Sequence, residues 1–217
     1  MRSLFTVVTP AADPSLLTIA QLRAAAGLLA GDASRDAELT ELGARVSADI
    51  ATACQIRGDG VHIPTLRSET VREVFRQQGC DDILFLARRF ISNLVSASDV
   101  DTVLVPDDTD LDAEAGLLQR ISGTRTLFWS RGNAVIEYIA GFATVPADLV
   151  GAAMDLARLR LSADARDPLV KGESVEIPDV RTVRHDYWVG AIPGSTEGPV
   201  PADILAKLSR YINVAVA

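Results

Sequence analysis

Residues 133–149 run Asn133-Ala134-Val135-Ile136-Glu137-Tyr138-Ile139-Ala140-Gly141-Phe142-Ala143-Thr144-Val145-Pro146-Ala147-Asp148-Leu149. Val135, Glu137 and Ile139 alternate with Ile136, Tyr138 and Ala140, and both sets contain apolar side chains. That is the pattern of a strand touching something on both faces, or of a buried helix. Pro146 then suits a first helical position, and Asp148 complements a helix N-terminus. Leu149, Ala153, Leu156, Ala157 and Arg160 carry helical spacing onward to about Arg166, where Asp167-Pro168 stops it. The stretch marks a switch from a β-rich region to a long helix.

Upstream, the first 56 residues read as helical. Thr18 and Gln21 have capping-box spacing ahead of Leu22, Ala25, Leu28 and Leu29, and Gly31 ends that run. From about Ser34 to Cys54, Leu39, Leu42, Val46, Ile50 and Ala53 recur at three- and four-residue steps, which predicts an αα-hairpin. Between Gly58 and Gly141 the helical period fades. Val61–Leu66, Thr70–Arg76, Ile83–Phe90, Val100–Val105, Thr126–Trp129 and Asn133–Ile139 read as short strands, and Glu114–Ile121 as strand or helical turn. Downstream, residues 172–190 read as extended, and Pro and Gly punctuate 192–199. Val200-Pro201-Ala202-Asp203-Ile204 then echoes Val145-Pro146-Ala147-Asp148-Leu149 and opens a short final helix.

The chain has 217 residues, 21 basic and 29 acidic, for a formal net charge of −8. Its composition is that of a globular protein. The acid excess argues against gripping nucleic acid by counterion release. The residues before Pro10 do not form a signal h-region, and no apolar run approaches the roughly 20 residues that a bilayer span needs. The two cysteines, Cys54 and Cys80, lack a Cys-x-x-Cys spacing, which suits a reducing cytoplasm.

Few residues suggest chemistry. His62 and His185 have no metal-ligand spacing, and there is no Walker loop, Rossmann fingerprint or Gly-x-Ser-x-Gly elbow. His185 and Asp186 are chain neighbours whose side chains would point to opposite faces of a strand. No catalytic residue, metal site or cofactor is expected. The sharpest local feature is acidic: Asp99, Asp101, Asp107, Asp108, Asp110, Asp112 and Glu114 occur with no basic residue between Arg89 and Arg120. Asp108-x-Asp110-x-Asp112 resembles the start of a calcium loop, but Ala113 and Gln119 stand where that loop needs Gly and Glu. Trp129 reads as core, whereas Tyr187 and Trp188 lie in the extended tail.

The order of these features resembles the head–tail connector, or adaptor, family of tailed bacteriophages and gene transfer agents. Tyr138-Ile139-Ala140-Gly141-Phe142 matches its strand ending. Val145-Pro146-Ala147-Asp148-Leu149 matches its helix start, Ala152 to Arg160 its long helix, and Val200 to Tyr211 its tail pattern. The Gly116–Thr126 stretch departs from the family's Gly-rich segment.

The resemblance implies an α+β, mainly helical fold. A connector core would span 1–167, with a helical hairpin at 15–56, a β-rich insertion at 58–141 and a long helix at 146–166. A C-terminal docking arm would span 168–217 and end in a short helix. It implies a structural, non-enzymatic subunit of a ring, twelvefold in the family. Such a ring joins the capsid portal protein to the next tail component, or stopper, and lengthens the DNA channel. The expected place is the neck of a virion or phage-like particle assembled in a bacterial cytoplasm, without membrane contact. Tyr187, Trp188, Ile204, Leu208 and Tyr211 become candidate docking residues. Asp107, Asp108, Asp110, Asp112 and Glu114 become a candidate surface, facing lumen or solvent, that repels passing DNA. Two other readings stay open: another neck or tail-completion ring protein, or a small cytoplasmic enzyme without a recognisable motif.

Overall fold

The segment 133–149 folds as a strand, a left-handed glycine turn and a helix. The computed structural model of the protein describes residues 3–77, 81–164, 172–177, 181–186 and 198–213. In chain order its elements are β1 (Ser3–Thr9), α1 (Ile19–Ala25), α2 (Asp36–Ala53), β2 (Glu69–Gln77), β3 (Ile83–Phe85), β4 (Ile91–Asp99), β5 (Thr102–Leu104), β6 (Thr109–Asp112), β7 (Leu117–Ser122), β8 (Arg125–Leu127) and β9 (Gly132–Ala140). They continue with α3 (Ala147–Asp164), β10 (Gly172–Ile177), β11 (Arg181–Asp186) and α4 (Ala202–Lys207).

Two antiparallel sheets face each other. The first has the order β1-β2-β9-β4-β5. The second runs β3-β7-β6, with β8 also paired to β7. Alternation on β2 and β9 points Val71, Phe75, Ile136 and Tyr138 inward, where they meet Leu84 of β3, Leu118 of β7 and Trp129. The β10–β11 pair is a separate two-stranded ribbon.

A second core is helical. Leu22 of α1, Leu39, Leu42, Val46 and Ile50 of α2, and Leu149, Ala153 and Leu156 of α3 form it. Thr18 and Gln21 make the capping box that their spacing suggests. At Gly43 a Cβ would lie 2.8 Å from Leu22 Cδ1, so a glycine there lets α1 lie close on α2.

The expectation of a mainly helical fold is overturned, because two sheets of five and four strands make strand as large a part of the chain as helix. The first 56 residues are not all helical: Ser3–Thr9 is a strand that pairs with β2. The sheets are therefore not an insertion into a helical body, since the N-terminus builds one edge of them. Ile91–Asp99, Thr109–Asp112 and Leu117–Ser122 are strands as well. In β4, register shifts between Ile91 and Asn93 and between Leu94 and Ser96 break the alternation that would have marked it. Val61–Leu66 is not a strand, and only Ile83–Phe85 of the expected Ile83–Phe90 strand forms one. Among the described residues no helix is long and apolar enough to cross a membrane.

The turn between β9 and α3 joins the two cores. Gly141 has φ +90, its N–H donates to Phe90 O at 3.0 Å, and Phe142 N–H donates to Leu66 O at 2.9 Å. A Cβ on Gly141 would sit 2.3 Å from Arg67 O, a backbone atom that cannot step aside. Gly141→Ala should lower stability by about 2–4 kcal/mol in urea titration, through the positive φ and the clash together.

Candidate functional site

Four polar side chains lie buried where the sheets meet the helical core: Glu69, Glu73, Arg88 and Tyr138. Glu69 and Glu73 sit on β2 at the same parity as Val71 and Phe75, so the strand carries both carboxylates inward. Arg88 lies in the loop between β3 and β4. Its Nη2 donates to Glu69 Oε2 at 3.0 Å and its Nη1 to Thr65 O at 2.6 Å. Glu73 accepts from the Ser3 hydroxyl at 2.6 Å, from Ala87 N–H at 2.7 Å and from the Tyr138 hydroxyl.

Burial pushes the Glu69 carboxyl above the ordinary range and the Arg88 guanidinium below it, and their ion pair opposes both shifts. Burial, reinforced by the Glu73 charge, holds the Tyr138 hydroxyl far above its usual pKa, so it stays a neutral donor. Arg88 Nε is buried without a protein partner. The adjoining cavity has about 10 Å³, about the room of one water and not of a substrate. The network therefore acts as a fastener, tying β1, β2, β9 and the 65–67 and 86–88 loops together. Sequence reasoning missed it, although a signal was there. In Glu69-Thr70-Val71-Arg72-Glu73-Val74-Phe75, the charges of Glu69 and Glu73 fall on the apolar parity. A carboxylate on a buried face needs a buried partner.

Of the proposed docking residues, Tyr187 and Trp188 lie outside the described residues. Ile204, Leu208 and Tyr211 are 3%, 0% and 1% exposed, inside the chain's own helical core. A six-residue helix such as α4 is not stable alone. Burying an apolar side chain contributes about 1.5–3 kcal/mol, and Val200, Ile204, Leu208 and Tyr211 together hold α4 down. Hydrogen bonds extend this strap onto the sheets. The Tyr211 hydroxyl donates to both oxygens of Asp148 at 2.7 Å. Arg89 donates to Ile212 O at 2.8 Å, and Asn213 Nδ2 donates to Ala87 O at 2.8 Å. The tyrosine also closes an aromatic trio with Phe90 and Phe142. Residues 198–213 of the expected arm are thus integral to the core, whereas β10 and β11, among the described residues, pair only with each other.

The acidic residues divide. Asp99 is buried and holds Arg120 and the Ser130 hydroxyl. Asp107, Asp110, Asp112 and Glu114 are exposed and Asp108 is half-buried. Asp108 Oδ2 accepts from Val105 N–H at 3.2 Å, and Glu114 pairs with Arg210 at 3.2 Å. Asp110 and Asp112 lie on β6, an edge strand whose partner is β7. Charges on such an edge discourage another strand from adding to it. Among the described residues no three His, Cys, Asp or Glu side chains are grouped as metal ligands would be.

No family model and no curated protein matches the sequence. Solved structures do. A chain in a structure described as the neck of an empty gene transfer agent particle, computed with C6 symmetry, superposes with a TM-score of 0.56 and 20% identity. The match covers 98% of this chain and 97% of that one. The chain shares its fold with components of gene transfer agent particles. A chain of the native gene transfer agent virion gives a TM-score of 0.57 at 19% identity, covering 99% of this chain and 97% of that one. Another, from the neck of the native particle computed with C12 symmetry, gives 0.52 at 16% identity over 98% and 97%. The likeness first read from the junction at 138–149 thus extends, as a likeness of fold, over nearly the whole chain. It includes sheets and helices alike, so the β-rich middle is part of what the neck chains share.

Arg88→Met should cost about 3–5 kcal/mol in urea unfolding, because it strands the Glu69 charge, and adding Glu69→Gln should recover part of that loss. The strap has its own pH signature. Burial first, then the bond to Asp148, raises the Tyr211 pKa to about 12 from 10.0. A raised folded-state pKa contributes stability that is complete below pH 10 and is lost as pH rises towards 12. Tyr211→Phe should lower stability at pH 7 by about 1–2 kcal/mol and reduce the fall in thermal midpoint between pH 10 and 12.

Proposed function

We propose that the chain is a structural subunit of the neck of a tailed-phage-like or gene transfer agent particle. It forms a ring that joins the capsid portal to the tail and extends the DNA channel. The observation that carries this reading is the end-to-end match to neck chains, at 98% of this chain and 97% of the other. Those chains come from assemblies computed with sixfold and twelvefold symmetry, which supports a ring of identical copies. The role calls for interfaces and not for a catalytic centre. A net charge of −8 per chain, repeated around a ring, opposes adhesion of DNA phosphates to a channel wall.

The docking arm is redrawn. The chain leaves α3 at Asp164, and Arg160 Nη2 on that helix holds Pro199 O at 2.8 Å. The excursion between them, residues 168–197 of the expected arm with Tyr187 and Trp188, therefore starts and ends at one place on the core. We assign docking on the portal or on a neighbouring subunit to this excursion, with residues 198–213 as its anchor.

Replacing 168–197 by a flexible Gly/Ser linker of about eight residues, long enough to bridge the two ends, should leave the thermal midpoint within a few degrees of the parent. It should also abolish co-purification with portal protein. Truncation after Pro199 should unfold the chain instead. A full-length chain that stays monomeric and ignores portal protein in negative-stain microscopy and sedimentation would overturn the neck reading.

A further inference from the structure

The two sheets pack core to core, so each has an outer face, and these faces lie on opposite sides of the molecule. On the first sheet, Val135 of β9 opposes Val74 of β2 and Ser98 of β4, which oppose Leu4 of β1 and Val103 of β5. One row, Leu4–Val74–Val135–Ser98–Val103, thus crosses all five strands on the face turned away from the core. Its ends are open, with Leu4 65% and Val103 76% exposed. The neighbouring row sets Arg72 opposite Glu137, and Arg76 lies two residues beyond Val74 on the same face. Both arginines are exposed, and neither makes an ion pair among the described residues.

The second sheet is read from Leu84, Leu111 and Leu118, which point to the core. The opposite parity gives two outer rows, Phe85–Leu117–Asp112 and Ile83–Gln119–Asp110. Phe85 is 46% exposed. Asp110 and Asp112 are exposed and make no ion pair among the described residues. One outer face is therefore apolar with net positive charge, and the other is apolar with negative charge.

We infer that these faces are the two halves of one head-to-tail interface, the outer face of β1-β2-β9-β4-β5 in one copy packing on the outer face of β3-β7-β6 in the next. The inference rests on the ring reading and names its contact surface. Opposite sides of one molecule cannot meet each other, so each face can meet its complement only on a second copy. Complementary charge favours this pairing, and like charge opposes packing either face on its own twin. Unlike faces in contact generate a closed ring when the rotation between copies closes. Pairing along strand edges is discouraged at β1 and at β6, one edge of each sheet. Along β1, Arg57 donates to Ser3 O at 2.7 Å and Asp59 accepts from Val7 N–H at 3.2 Å, while β6 carries its aspartates. Asp110 and Asp112 are thereby assigned to a subunit contact and not to the channel wall.

Charge reversal tests the assignment on the full chain, by sedimentation velocity over a concentration series with native mass spectrometry. The wild type should give one closed oligomer. R72E/R76E and D110R/D112R should each weaken association by at least about tenfold with unchanged circular dichroism and thermal midpoint. The two variants mixed, or all four changes in one chain, should restore it. A wild-type ring that neither reversal weakens, or reversals that do not rescue each other, would overturn the face pairing and leave the ring reading standing. A wild type that stays monomeric at every concentration would overturn the face pairing, and one that also ignores portal protein would overturn the neck reading with it.

Discussion

A guanidinium with 6% of its side chain exposed is a costly thing to build into a protein, and Arg88 sits where the sheets join the helices. Removing a charge of that kind from water costs several kcal/mol unless it is paired and hydrogen-bonded. The pairing needs the Glu69 carboxylate from β2 and the Thr65 carbonyl from the loop before it, both within 3.0 Å. Glu73, four residues on, brings in Ser3 of β1, Ala87 N–H and Tyr138 of β9. Glu73 has all of these partners only when β1, β9 and the Arg88 loop have each reached β2. The seam therefore fixes how the two cores are joined, whereas the apolar cores by themselves tolerate sliding and repacking.

The same seam explains why the C-terminus matters. Phe90 takes φ +56, uncommon for a bulky side chain, next to Arg88 and Arg89. In that conformation its ring meets Phe142 from the β9–α3 turn and Tyr211 from the strap. Arg89 binds the strap carbonyls, and Asn213 binds Ala87. A segment that begins more than thirty residues after α3 thus closes over the seam. Pro199, at the start of that segment, is itself held to α3 by Arg160.

The candidate surfaces were partly legible. Acidic residues around Asp110 stood out in sequence because no basic residue lies among them, but their neighbours across the sheet were not visible. Asp110 and Asp112 fall in line with Gln119 and Leu117 only after β6 pairs β7. The basic counterpart was hidden more deeply. Arg72 and Arg76 look like ordinary strand charges until β2 is seen in the middle of a five-stranded face with Leu4, Val135 and Val103 around them. Ile204, Leu208 and Tyr211, read from sequence as docking residues, pack into the chain's own helical core with α2 and α3.

What the sequence determined by itself is local. The Thr18–Gln21 capping box, the α2 and α3 stripes, the β2 and β9 strands and the twice-used Val-Pro-Ala-Asp helix start each rest on groups a few residues apart. Such contacts can be read from spacing alone. Tertiary structure decided the rest. It paired β1 with a strand seventy residues away, where Ser3 meets Glu73. It hid β4 behind two register shifts, and it turned the final helix inward. The physical reason is that an apolar stripe or a buried charge states that it must be covered, and only the folded chain determines by what.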